Sequence, residues 1–419
     1  MKIVKISMLL VAVMAVIFGL SGTSFAFHSG GVAECMGCHN IHDAKSTSSL
    51  LNNTDTTSTC AGGGTSCHGE QSAGSYHILT TAASMPSGSA PLNKTPGGDF
   101  GWLLKTYTWI PRGTTAETEE GHTHGHNVVA ADIPGFVVDP VNNATPPGGG
   151  SMDPNQLSCN SCHDQHGQLR RLSTGAIAMT GAPIIGSGSY TNSTAPAAGQ
   201  AVGIYRLLRG PGSEAGDGGT TFTATFNAVV ASTYNRAEDT AGTAMAFGAG
   251  VSDWCATCHP DMLSATSAKH THPTNQGFST TVADNYNAYI GSGLTGNPAF
   301  DTLAPYANDN ITDLAVLKAD ANNAARDAST TSRVMCLSCH RAHASGFGFM
   351  TRSNMLGNEF IAVESLFPGT DAAGIASQAK YAQGRTVAET KAAYNRSTAA
   401  TWPYASYQRS LCNKCHAKD

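Results

Sequence analysis

Twelve cysteines stand in this chain as six pairs, and a histidine follows the second member of every pair. Five pairs enclose two residues: Cys35 and Cys38 before His39, Cys159 and Cys162 before His163, Cys255 and Cys258 before His259, Cys336 and Cys339 before His340, and Cys412 and Cys415 before His416. The sixth reads CAGGGTSCH, with six residues between Cys60 and Cys67 ahead of His68. Disulfides would use the cysteines and leave the histidines unexplained. Zinc ribbons would use the pairs as thiolates without a histidine after each. With 16 His in 419 residues, six chance placements have odds on the order of one in 10⁸.

C-x-x-C-H is the attachment pattern of haem c. The two thiols bond to one porphyrin edge, and the next residue on the same turn sets its imidazole on the iron. The twelve cysteines are therefore expected to tether six covalent haems, with His39, His68, His163, His259, His340 and His416 as proximal ligands. At the stretched site Ala61-Gly62-Gly63-Gly64 is permissive backbone that can loop out, so a haem is expected there too.

Ten histidines remain: His28, His42, His77, His122, His124, His126, His166, His270, His272 and His343. Haem sites that only carry electrons keep both axial positions filled, and ten candidates suffice for six irons. His343 follows His340 by three residues and lies on the same side of that porphyrin. Any iron it binds belongs to another haem. CHNIH (His39, His42) and CHDQH (His163, His166) repeat the spacing, which predicts closely packed haems linked in a chain.

The rest of the composition fits this picture. Aromatics are 7% and charged residues 13%, and Gly numbers 46, a poor recipe for a large aliphatic core that the apolar porphyrins are expected to replace. The fold class expected is a multihaem cytochrome c, mostly coil with short helices and few short strands around six stacked haems. Turn-rich tracts at 142–150, 180–199 and 209–219 read as loops. Residues 220–234 read as strand, and Asp313 to Ala328 and Val387 to Tyr394 as helix. The attachment sites follow no fixed period, which excludes a solenoid. A net charge of −5 excludes nucleic acid as a partner class.

Residues 1–26 read as a secretory signal: Lys2 and Lys5, an apolar run from Met8 to Leu20, and Ser24-Phe25-Ala26 before the cut. The run is short of the roughly 20 residues a spanning helix needs. Residues 27–419 are expected to form one exported hexahaem domain with no membrane span.

The chain resembles the extracellular hexahaem c-type cytochromes that polymerise into conductive filaments on metal-reducing bacteria. The likeness lies in FHSGGVAEC, SYH (75–77), TPGGDFGW (95–102), KTYTW (105–109), GHN (125–127), SCHDQHG, STYNR (232–236), CLSCHRAHASGF and LCNKCHAKD. It implies bis-histidine haems in a continuous stack and head-to-tail assembly, with His42 ligating the haem of His340 in the next subunit. It also implies exchange with other cytochromes and with external acceptors such as metal oxides. The matches to GHN and to His272-Pro273 select His126 and His272, leaving His28, His42, His77, His126, His166, His272 and His343 as distal candidates, one of them spare. The Cys60–Cys67 spacing departs from the family. The function implied is electron transfer, not enzymatic chemistry; the rivals are a monomeric periplasmic shuttle and a multihaem reductase.

Overall fold

The computed structural model describes residues 35–416 apart from 47–48, 63–66, 70–76, 142–144, 217–218, 232–244, 264–273, 290–299, 309–311, 324, 355–356, 358 and 397–404. The leader, His28, His270 and His272 lie outside the described residues, as does STYNR.

Regular elements are short, as the Gly- and Ser-rich sequence predicts. The helices are α1 (Cys35–Cys38), α2 (Thr56–Ala61), α3 (Cys159–Cys162), α4 (Val251–Ala256), α5 (Thr280–Ala288), α6 (Leu314–Asn322), α7 (Cys336–Cys339), α8 (Ala379–Ala382), α9 (Val387–Ala393) and α10 (Arg409–Cys412). Asp313 starts α6 by accepting from the amides of Ala315 and Val316. That helix ends at Asn322, short of the predicted Ala328. Thr386 and Glu389 close a reciprocal capping box on α9, which stops one residue before the predicted Tyr394. Among the described residues no helix is long and apolar enough to cross a membrane.

Among the described residues the strands form three small sheets. β1 (Tyr107–Trp109) pairs antiparallel with β2 (Glu117–Glu119). β3 (Arg170–Leu172) lies between β4 (Ile177–Ala178) and β5 (Ala201–Gly203). β6 (Ala228–Val230), β7 (Met245–Phe247), β8 (Ala307–Asn308) and β9 (Ser332–Arg333) form the third sheet, in which β7 and β8 run parallel. β6 falls inside the β-branched stretch predicted as strand.

Side chains form buried clusters of their own. The few aromatics are concentrated: Phe100, Trp102, Tyr107, Trp109, Phe136 and Phe347 share one buried cluster, and Phe278, Tyr286, Phe300 and Tyr306 another. Buried arginines serve the coil. A chain with few ladders has many carbonyls to satisfy, and Arg326 donates to the carbonyls of Asp320 and Met245 while lying 3.6 Å over the Phe300 ring.

Candidate haem-binding sites

Each attachment motif closes on one hydrogen bond, from the histidine amide to the carbonyl of the first cysteine. The lengths are 2.8 Å at His39, 3.0 Å at His163, 3.1 Å at His259, 3.0 Å at His340 and 3.0 Å at His416. The stretched motif makes the same bond: His68 N donates to Cys60 O at 2.9 Å. Its four extra residues leave the turn's closure intact.

The first, third and fifth motifs carry a further common scaffold that the sequence does not display. The residue after each proximal histidine donates its amide to Leu50, Leu207 and Met350 O respectively, at 2.8, 2.8 and 2.9 Å. The ring Nδ1 of His39, His163 and His340 donates to Ser49, Arg206 and Phe349 O, each at 2.8 Å. Asn52, Arg209 and Arg352 then donate their amides to the carbonyl of the second cysteine at 2.9, 2.9 and 2.7 Å. Their side chains reach back to the carbonyl after the first cysteine: Asn52 to Met36 at 3.1 Å, Arg209 to Asn160 at 2.6 Å, Arg352 to Leu337 at 2.7 Å. Left-handed backbone recurs at the same place, at Leu50, at Arg206 and Leu207, and at Phe349 and Met350. Such a conformation costs a side-chain-bearing residue about 1–2 kcal/mol, and its threefold recurrence marks it as part of the turn that holds the ring.

A carbonyl can only accept, so the Nδ1 bond fixes a tautomer whose Nε2 lone pair is left for a metal. His126 and His259 are held the same way, by Ala342 O and Pro147 O, each at 2.8 Å. Buried His77 donates from Nδ1 to Gly69 O, beside His68. Burial pushes His126 and His163 down to about 4 and His343 to about 3, which keeps these rings neutral, the form that binds iron.

Histidines from distant motifs face each other in pairs. The ring centroids of His39 and His166 are 6.3 Å apart, those of His163 and His343 6.5 Å, and those of His259 and His126 6.1 Å. Two imidazoles on opposite sides of one metal, each bonded at roughly 2 Å, put their centroids about 6 Å apart. His343 is set by the Gly97-Gly98 turn: its amide donates to Gly97 O at 2.7 Å, its Nδ1 to Gly98 O at 3.3 Å, and Phe100 stacks on its ring at 4.7 Å. His126 is delivered by pairing of Gly125 with Ala344, its amide donating to His343 O at 3.0 Å. The neighbours of His126 are otherwise engaged. His122 bonds Asn127 Oδ1 at 2.6 Å, and fully buried His124 has Trp102 O at 3.1 Å and Glu119 Oε1 at 2.7 Å on its two nitrogens. His42 is exposed on the first motif.

Thiols of consecutive motifs come near enough to influence one another, in chain order: Cys38 and Cys67, Cys60 and Cys159, Cys162 and Cys258, Cys255 and Cys336, and Cys339 and Cys412. The stretched motif keeps its place in the series, Cys67 toward the first site and Cys60 toward the third. Among the described residues no group of three or more His, Cys, Asp or Glu forms a bare metal site. Paired imidazoles beside thiol pairs fit an iron whose other donors come from a porphyrin.

No protein-family model matches the chain. It is 46% identical to the C-type cytochrome OmcS of Geobacter sulfurreducens over 424 aligned positions, 94% of this chain and 95% of that protein. Its fold is similar to OmcS nanowires of that organism determined by cryo-EM, with a TM-score of 0.78 at 44% identity over 94% of this chain and 100% of that one. An outer membrane cytochrome S filament from the same organism gives a TM-score of 0.79 with the same identity and coverage.

Proposed function

This chain belongs to the family of the C-type cytochrome OmcS, and from that premise we propose that it conducts electrons along six covalent haems c as the subunit of an extracellular filament. Haem c, when bound, supplies an iron that cycles between ferrous and ferric states. The cysteine pairs Cys35/Cys38, Cys60/Cys67, Cys159/Cys162, Cys255/Cys258, Cys336/Cys339 and Cys412/Cys415 tether it, and the following histidine is the proximal ligand. The single observation that carries this reading is the facing of His39 with His166, His163 with His343, and His259 with His126, at about the separation one iron requires. On this reading His28, His42, His77 and His272 serve the irons of His68, His340 and His416, with one to spare. Histidine pairs of this kind would hold the haem iron from both sides, leaving the protein to set distance, orientation and potential. The contacts between consecutive cysteine pairs support a linear order of sites that follows the chain.

The scaffold shared by the odd motifs also supports the assembly. His166, in the second copy, faces His39 in the first, and His343, in the third, faces His163 in the second. Each such histidine reaches back by one copy. His42 belongs to the first of the three copies. Continued by one more step, the pattern sends His42 to the site of His340 in a neighbouring subunit, giving a head-to-tail homopolymer. We take residues 1–26 as its export signal and 27–419 as one domain. Electron microscopy of material sheared from cells, with intact mass after acid treatment, tests the whole reading. Filaments whose subunit exceeds the mature chain by six haems are expected. A monomer at every concentration would favour the shuttle, and a mass short by one haem would remove the stretched site.

A further inference from the structure

Asn52, Arg209 and Arg352 lie outside the attachment motifs, occupy one position in the repeated scaffold, and differ in charge. Asn52 is neutral and binds both Met36 O and Gly37 O, at 3.1 and 3.0 Å. Arg209 is half-buried, with Asp164 and Glu214 acting on its charge. Arg352 is 2% exposed. Its Nε donates to Leu337 O at 2.7 Å and to His340 O at 3.1 Å, and its Nη1 to Thr302 O at 2.9 Å. A guanidinium stays charged at any pH the protein meets. A fixed positive charge therefore lies one hydrogen bond from the backbone of the fifth site's proximal histidine.

We propose that these three are positioning residues for their attachment turns, and that Arg352 also raises the reduction potential of the fifth site. The inference rests on the haem reading above. Reduction takes one positive charge from the iron centre, and a buried cation nearby favours the less positive state. Arg209 acts in the same sense at the third site, offset by its two acidic neighbours. Asn52 contributes no charge at the first. The three sites thereby differ in the charge placed at this one position, although their backbones are held alike.

Three variants of the full-length, haem-loaded protein separate holding from charge. R352K keeps the charge and loses the forked donor; R352Q keeps a donor and loses the charge; N52R adds a charge at the neutral site. Each is checked by intact mass for six haems, then followed by thermal unfolding and by spectroelectrochemical titration. Both Arg352 variants should unfold at a lower temperature than the parent. Only R352Q should move about one-sixth of the haem absorbance, one of the six sites, to a lower midpoint. N52R should move a similar share to a higher midpoint, and it decides the matter if R352Q does not fold. Equal shifts in R352K and R352Q, or none in R352Q and N52R with six haems attached, would overturn the charge role. Unchanged unfolding of both Arg352 variants would overturn the positioning role. A parent lacking haem at the regular motifs would instead overturn the cytochrome reading.

Discussion

Replacing Asp99 by Asn tests how the chain holds His343 without touching a ligand. Asp99 is fully buried and purely an acceptor. Its Oδ1 receives the amides of Thr80 and Gly101 at 2.8 and 2.7 Å. Its Oδ2 receives the Thr80 hydroxyl at 2.6 Å, the Asn93 amide at 3.1 Å and Asn93 Nδ2 at 2.7 Å. Asparagine turns one oxygen into an NH2 group, and either orientation sets that group against two N–H donors. Hydrogen bonds to a charged group contribute about 1.5–3 kcal/mol each, so losing two costs about 3–6 kcal/mol. That is a large share of the roughly 5–15 kcal/mol that holds an ordinary domain. Asp99 adjoins the Gly97-Gly98 turn that cradles His343, so the lost anchor should loosen that ring from the iron we propose it shares with His163. Denaturant unfolding measures the first effect. Carbon monoxide added to the ferrous protein measures the second, with uptake rising on warming toward one per chain. A loss of stability under about 1 kcal/mol would refute the count of bonds. A large loss with no uptake of carbon monoxide would leave Asp99 an anchor of the fold alone.

Other substitutions reach the remaining pairs. His166→Ala should keep all six haems by mass and open the iron of His39 to one equivalent of carbon monoxide; no uptake would break the pairing. His122→Ala should cost about 1 kcal/mol for its bond to Asn127 and leave every iron low-spin in the optical spectrum. Gly125→Ala puts a Cβ into the His343 carbonyl and Ala344. It should cost about 1–3 kcal/mol by unfolding and displace His126, seen as carbon monoxide binding at the His259 site. His42→Ala should give a folded subunit with six haems, one iron open to external ligands, and absent or shortened filaments under the electron microscope. Normal filaments would exclude the link between subunits.

The chemistry was legible in the sequence because covalent attachment fixes residue types at fixed spacing. The turn that brings Cys60 O to His68 N needs only that the intervening residues loop away, and a glycine run announces that freedom. Helix starts were legible too, since Asp313 and the Thr386–Glu389 pair satisfy amides locally. The threefold scaffold was not. Asn52 and Arg352 follow their histidines closely, but Arg209 returns only after the β3–β5 excursion, so no sequence period survives. The residues at that position are also chemically unlike, because their amides do half the holding. Nor could spacing choose His126 over His122 and His124. Its place is set by pairing with Ala344, far along the chain, and only the family likeness of GHN pointed to it. The concentration of few aromatics into buried clusters was likewise invisible to an average over the chain.

A joint that gives an imidazole from one side and receives it at an iron on the other cannot be symmetric, and a polymer built on it has polarity. On the proposed assembly, one terminus displays a spare ligand and the opposite terminus an iron one ligand short. A head-to-tail contact of this kind closes on itself only if its rotation brings the ends together; otherwise it extends without limit. Free imidazole in the medium would then act as a chain terminator, occupying the deficient iron and stopping growth there while leaving the other terminus untouched. Length would be governed by such small competing bases and by subunit supply, because on that assembly His42 is the protein's means of elongation.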